Sequence, residues 1–335
     1  MPTTTGSNAN YANIMGKIKS FLLNSSALWE CVGDTDPTAP EYDSNEYNAG
    51  VSTATTARTI YFKCKGYDGQ SDCYFALYNL NSGSSYYTIA VRGFGAYYKG
   101  VAHSNAIMKA SNPMYMPMLA GDQNQRYWIT GDERRIVIMT IADNTRPYMM
   151  GFGMFLQAGT PAEYPLPMFV GGSLCDYTKA AGTAITTDGA KSFFAPIKKG
   201  ASTDPSTLEC YTSDGWVRFA NYDNSDTALV PTTITSGQGC TLPYIFPDVV
   251  SGMIDSRCFG STDLALFPIS LYIRRAAPSA NDVLGEMDGM FFVSNAGSTL
   301  TLESTVTIDG VKYLLWSQPL SQPAAGYVAV RLEDY

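Results

Sequence analysis

Four groupings in this sequence hold side chains with chemical potential. His103 is the single histidine, in the polar run GVAHSNA. A histidine acts as a general base only beside an orienting partner, and none stands at a readable spacing, so a surface loop residue is expected. Asp132 and Glu133 precede Arg134 and Arg135 in GDERR. Adjacent residues on extended backbone point to opposite faces, so this run reads as a turn held by ion pairs or as an intersubunit contact, not as an acid–base pair. Tyr222, Asp223, Asn224 and Asp226 offer oxygens to calcium but lack the glycine and distal glutamate of an EF-hand loop; an Asx turn is the reading. Cys31, Cys64, Cys73, Cys175, Cys210, Cys240 and Cys258 form no CxxC pair and no ligand spacing, which predicts reduced, mostly buried thiols. Cys64 and Cys73 are placed to face each other across a hairpin.

The familiar catalytic and cofactor patterns are missing. There is no GxSxG elbow and no P-loop, and Gly93-Phe94-Gly95 and Gly151-Phe152-Gly153 lack the third glycine of a dinucleotide loop. Those glycines read as strand bends. A glycosidase-type carboxylate pair draws its members from distant segments, so sequence alone leaves that arrangement open. The expectation is a protein that is not an enzyme and carries no cofactor and no metal.

The elements that position these groups are mostly strands. With 335 residues, 45% hydrophobic and only 16% charged, the chain is long and apolar enough for a large globular core. A net charge of −8 argues against gripping nucleic acid, although it permits an acidic wall that lines a passage for DNA without gripping it. No run approaches the roughly 18 apolar residues of a membrane helix, and MPTTTGSNANY lacks the basic start and apolar run of a secretory signal. The 23 tyrosines suit half-buried strands and contact surfaces.

The fold class expected is mainly β (α+β): antiparallel sheets and hairpins, one N-terminal amphipathic helix, and long proline-rich loops. Tyr11, Ile14, Met15, Ile18, Phe21 and Leu22 make one helical stripe, read as core packing or as a helix contact with a neighbour. Residues 34–56 read as a polar loop or arm. Thr59 to Lys65, the turn GYDGQSD and Cys73 to Tyr78 read as a hairpin in a meander. RRIVIMTIA, apolar on both faces, predicts a central strand, joined through ADNTRP to a strand beginning at Tyr148. Asp309-Gly310 marks a further hairpin. The organisation expected is an N-terminal helix and arm over 1–58, a β core with a proline ribbon over 59–174, a loop-rich excursion or lobe over 175–281, and a C-terminal hairpin segment over 282–335.

In GFGMFLQAGTPAEYPLPMFVGGS a strand runs into Pro161, Pro165 and Pro167. Tyr164, Pro165, Leu166, Pro167, Met168 and Phe169 form a stiff apolar ribbon, expected as a subunit contact because fixed φ angles lower the entropy lost on docking, with cover for the chain's own core edge as the alternative or accompanying role.

The run RIVIMTIADNTRPYMMGFGMFLQAGTPAEYPLPMFVGGS resembles a family of tailed-bacteriophage virion proteins. The matching pieces are the arginine-led strand Arg135 to Ile141, the Tyr-x-x-Gly-Phe strand Tyr148 to Phe152, Thr160 to Pro167, and Gly171 to Ser173. Gly285 to Gly289, Asp309-Gly310 and Ala329 to Leu332 are similar as well, as is the opening helix followed by Leu28-Trp29. The resemblance implies a structural component of the tail, neck or baseplate and no catalytic residues. It also implies location in the virion after assembly in the host cytoplasm, most closely in a neck role such as tail completion, terminator or collar. The partners implied are copies of itself and virion proteins of the tail tube, sheath or connector. The alternative is a receptor- or glycan-binding β protein of a fibre or baseplate, with Trp216, Tyr222, Tyr97 and Tyr98 stacking on sugars.

Overall fold

Arg135 to Ile141 is buried at every residue. A strand apolar on both faces must be covered on both, and this one lies inside the middle of three antiparallel sheets. The computed structural model describes residues 3–9, 11–25, 28–50, 57–81, 87–118, 125–142, 146–159, 166–173, 208–213, 215–219, 239–242, 264–274, 281–293, 301–317 and 327–332.

In chain order the elements begin with β1 (Thr3–Ala9), α1 (Tyr11–Ser25), β2 (Glu30–Asp34), β3 (Thr59–Lys65), β4 (Asp72–Asn81) and β5 (Tyr87–Phe94). After a short 3-10 turn, Ala106–Met108, come β6 (Met114–Met118), β7 (Gln125–Gly131), β8 (Arg135–Ala142), β9 (Arg146–Met154), β10 (Leu156–Gln157) and β11 (Met168–Gly171). Then follow β12 (Leu208–Thr212), β13 (Gly215–Arg218), β14 (Gly239–Leu242), β15 (Leu266–Arg274), β16 (Asn281–Val293), β17 (Thr305–Ile308), β18 (Val311–Ser317) and β19 (Tyr327–Arg331). The outer five-stranded sheet is a meander from β2 to β6; the middle sheet runs β1-β7-β8-β9-β11-β12-β13. The third runs β14-β15-β16-β19-β18-β17, with β10 also paired to β16. The fold class read from sequence is the one observed.

Strand alternation divides the core in two. Ile136, Ile138, Tyr148, Met150, Phe152, Met168 and Val170 of the middle sheet meet α1 and the five-stranded sheet. Val137, Met139, Ile141, Met149 and Phe169 face the third sheet instead. Trp29, Phe62 and Phe75 surround Phe152 at centroid distances of 5.9, 6.2 and 5.4 Å, the aromatic centre of the first core. Trp128 and Trp316 meet edge to face at 5.3 Å in the second. Each fully buried ring of this kind contributes about 1.5–3 kcal/mol of transfer free energy.

Three departures from the sequence reading have clear causes. The polar stretch Thr3–Ala9 is a strand, paired to β7, which its lack of apolar alternation concealed. In the 175–281 stretch, β12 and β13 extend the middle sheet and β14 and β15 begin the third. The strands described there are thus shared between two sheets. The 34–56 arm is tied down over its described part: Asp34 pairs with Lys19 and Arg58, and Tyr97 donates to Glu46.

Candidate functional site

A cavity of about 370 Å³ opens where α1 and the three sheets meet, lined by Ser25, Tyr67, Asp132, Glu133, Arg134, Met154, Leu156 and Asp288. Ser25 ends α1, Tyr67 sits in the β3–β4 turn, and Asp132 to Arg134 make the β7–β8 turn. Asp132 Oδ1 accepts from the backbone N–H of Arg134 at 2.8 Å and of Arg135 at 2.9 Å, which closes that turn. Trp29 Nε1 donates to the Asp132 carbonyl at 3.0 Å and anchors the turn to the first core. Gly153 is required opposite: its φ is +132°, and a Cβ there would lie 2.2 Å from the Arg134 carbonyl oxygen.

The electrostatics of the site come from segments far apart in sequence. The Asp288 carboxyl, on β16, comes up beside that of Asp132. Arg135 is fully buried, and its Nε stands 3.7 Å from Asp132 Oδ2 and 4.0 Å from Asp288 Oδ2. Arg331 Nη2 donates to Asp288 Oδ1 at 3.1 Å. Burial raises the Asp288 pKa above the usual carboxylate value; Asp132 adds to this, while Arg135 and Arg331 oppose it. Arg134 lays its guanidinium over the Tyr67 ring at 4.3 Å from the centroid. The arrangement supplies hydrogen-bond donors and acceptors around two carboxyls, of which burial shifts Asp288 toward its neutral form.

The ion-paired turn expected at GDERR is present, but the partner of Asp132 is Asp288, which local sequence did not reveal. The only sequence signal for Asp288 was the Gly-Glu-x-Asp-Gly run, noted for another reason. His103 requires correction: it is 4% exposed and ringed by Tyr47, Tyr61, Tyr78 and Phe94, since its loop folds back on the five-stranded sheet. Tyr61 donates its hydroxyl to the Tyr47 carbonyl, so the 2.7 Å contact to His103 Nε2 places the ring proton on Nε2. Burial and then Arg92 lower the His103 pKa to about 3.

The expected contact surfaces also need correction. Met168 and Phe169 are fully buried on opposite faces of β11, and Pro167 is buried beside them. Leu166 packs partly buried against the first core. These four serve the fold of their own chain. Tyr164 and Pro165 lie outside the described residues. The helix stripe is likewise intrachain: Ile14, Met15, Ile18, Phe21 and Leu22 are core, while the Tyr11 side chain lies outside the described residues.

Among the sugar-stacking candidates, Trp216 inserts over Gly93, where a Cβ would lie 2.3 Å from its ring, and donates to the Lys109 carbonyl at 2.7 Å. Its indole is engaged in joining β13 to β5, which removes it as a free platform. Tyr97 stacks on Tyr74 at 4.9 Å and donates to Glu46. Tyr98 is 51% exposed. Tyr222 and the calcium candidates Asp223, Asn224 and Asp226 lie outside the described residues.

The thiols described (Cys31, Cys64, Cys73 and Cys210) are free, with Cys64 directly opposite Cys73 in the β3–β4 ladder. Cys31, Asp34 and Glu41 bring their ligand atoms within 4.8 Å of one another. Lys19 already bridges both acids, Arg58 chelates Asp34, and burial pushes the Cys31 thiol up to about 11. A charge-balanced triad with a protonated thiol is a structural ion cluster, not a metal centre.

Compared with known proteins, the chain matches no family model and no curated protein.

Proposed function

We propose that this protein is a homo-oligomeric structural component of a tailed-bacteriophage virion, acting at the tail or neck as a completion, terminator or collar protein. The run that resembles such proteins supplies β8, β9 and β11, the spine of the middle sheet, so the likeness concerns the centre of the fold.

The observation that carries self-association is β1. It is the outermost described strand of the middle sheet, and Thr3–Ala9 contains neither charge nor proline. Thr3, Thr5 and Ser7 are exposed, and pairing with β7 is regular from Thr3 to Gly6 before a bulge ahead of Ala9. Edge strands of monomers are usually guarded by lysine or proline; an unguarded one is suited to pairing with another chain. Thr5→Lys places a charge on that edge. Light scattering should show the wild-type chain as an oligomer and the variant shifted toward monomer, and immunoblotting should find the wild type in purified particles. A protein absent from particles ends the proposal.

Tyr98, a half-exposed ring beside the Lys99–Asp43 ion pair, favours the second reading, a glycan- or receptor-binding protein of a fibre or baseplate.

A further inference from the structure

We propose that the cavity bounded by Tyr67, Asp132, Arg134, Leu156 and Asp288 binds a neutral polyhydroxylated ligand, a sugar, either free or as a unit of a glycan. This goes beyond the virion reading and gives the glycan-binding reading a site other than the aromatic loops.

Charge decides the ligand class. A divalent cation among the carboxylates would meet Arg135 Nε, 3.7 and 4.0 Å from them, and Arg331 on Asp288. An anion would meet Asp132 and Glu133 at the cavity wall. A ligand without net charge avoids both repulsions. The volume of about 370 Å³ lies within the range of about 300–1,000 Å³ typical of small-molecule sites.

The donor set matches hydroxyl groups. The Asp132 and Asp288 carboxyl oxygens accept from sugar hydroxyls. Arg134 adds donors, while Met154 and Leu156 give an apolar wall for a sugar's C–H face. Leu156, 42% exposed, stands at the rim. Asp132 is already fixed by two backbone N–H bonds, so little ordering is needed on binding.

The test is saturation-transfer NMR and calorimetry on the full chain. The probes are glucose, galactose, N-acetylglucosamine and rhamnose, with oligosaccharides of each. At least one should bind. Leu156→Arg, which plugs the mouth from an exposed position, and Asp288→Ala should each weaken it about tenfold or more. An oligosaccharide bound more tightly than its monomer identifies a glycan chain, equal binding a free sugar; both support the site. No binding across the panel, or binding unchanged in Leu156→Arg, overturns it. Particle membership is measured independently, so failure here leaves the virion reading standing.

Discussion

Lowering the pH should unfold this protein through one buried ring. His103 has an ordinary value of 6.5 and one of about 3 in the folded chain, because burial and Arg92 disfavour the imidazolium. A depressed histidine pKa means that the unfolded chain binds the proton first. Its stabilising contribution is therefore complete above about 6.5 and is lost as pH falls toward about 3. At about 1.4 kcal/mol per pH unit, the whole interval sets a ceiling of about 5 kcal/mol, and about 3 kcal/mol should be gone by about pH 4. His103→Gln keeps a donor for Tyr61 without the titration. Urea unfolding of both proteins between about pH 7 and about pH 4 is the assay, read as the difference between them. That difference cancels the carboxylates both proteins share. The wild type should lose stability relative to the variant as pH falls. Parallel curves would refute the buried, neutral histidine.

Three further substitutions probe the frame. Phe152→Ala empties the space between Trp29, Phe62 and Phe75 and should cost about 3–5 kcal/mol in a urea melt. Gly153→Ala drives a methyl to 2.2 Å from the Arg134 carbonyl at a φ of +132°, and should cost at least about 2 kcal/mol by the same measurement. Asp34→Ala leaves Lys19 and Arg58 without their shared carboxylate in a buried site and should cost about 3–5 kcal/mol.

Local periodicity made part of this architecture legible. The stripe from Ile14 to Leu22, the Cys64–Cys73 register, the doubly buried Arg135 to Ile141 strand and the Asp309-Gly310 turn were all readable, because each is set by residues a few positions apart. β1 was not, since an edge strand facing solvent needs no apolar face. The Asp132–Asp288 pair was not, because three-dimensional packing alone brings a β7–β8 turn against β16. The ribbon misled for a physical reason. Alternating large apolar residues after prolines describe a docking surface and a buried strand equally well, and Met168 and Phe169 proved to be the latter. His103 misled likewise: a polar loop sequence hid a ring buried among tyrosines.

The central claim is that this chain exists to assemble with copies of itself in a particle. Light scattering on the intact, purified chain tests it most directly. A mass that is an integral multiple of 36.3 kDa, persisting on dilution, is the predicted result. A mass of 36.3 kDa at every concentration would contradict it.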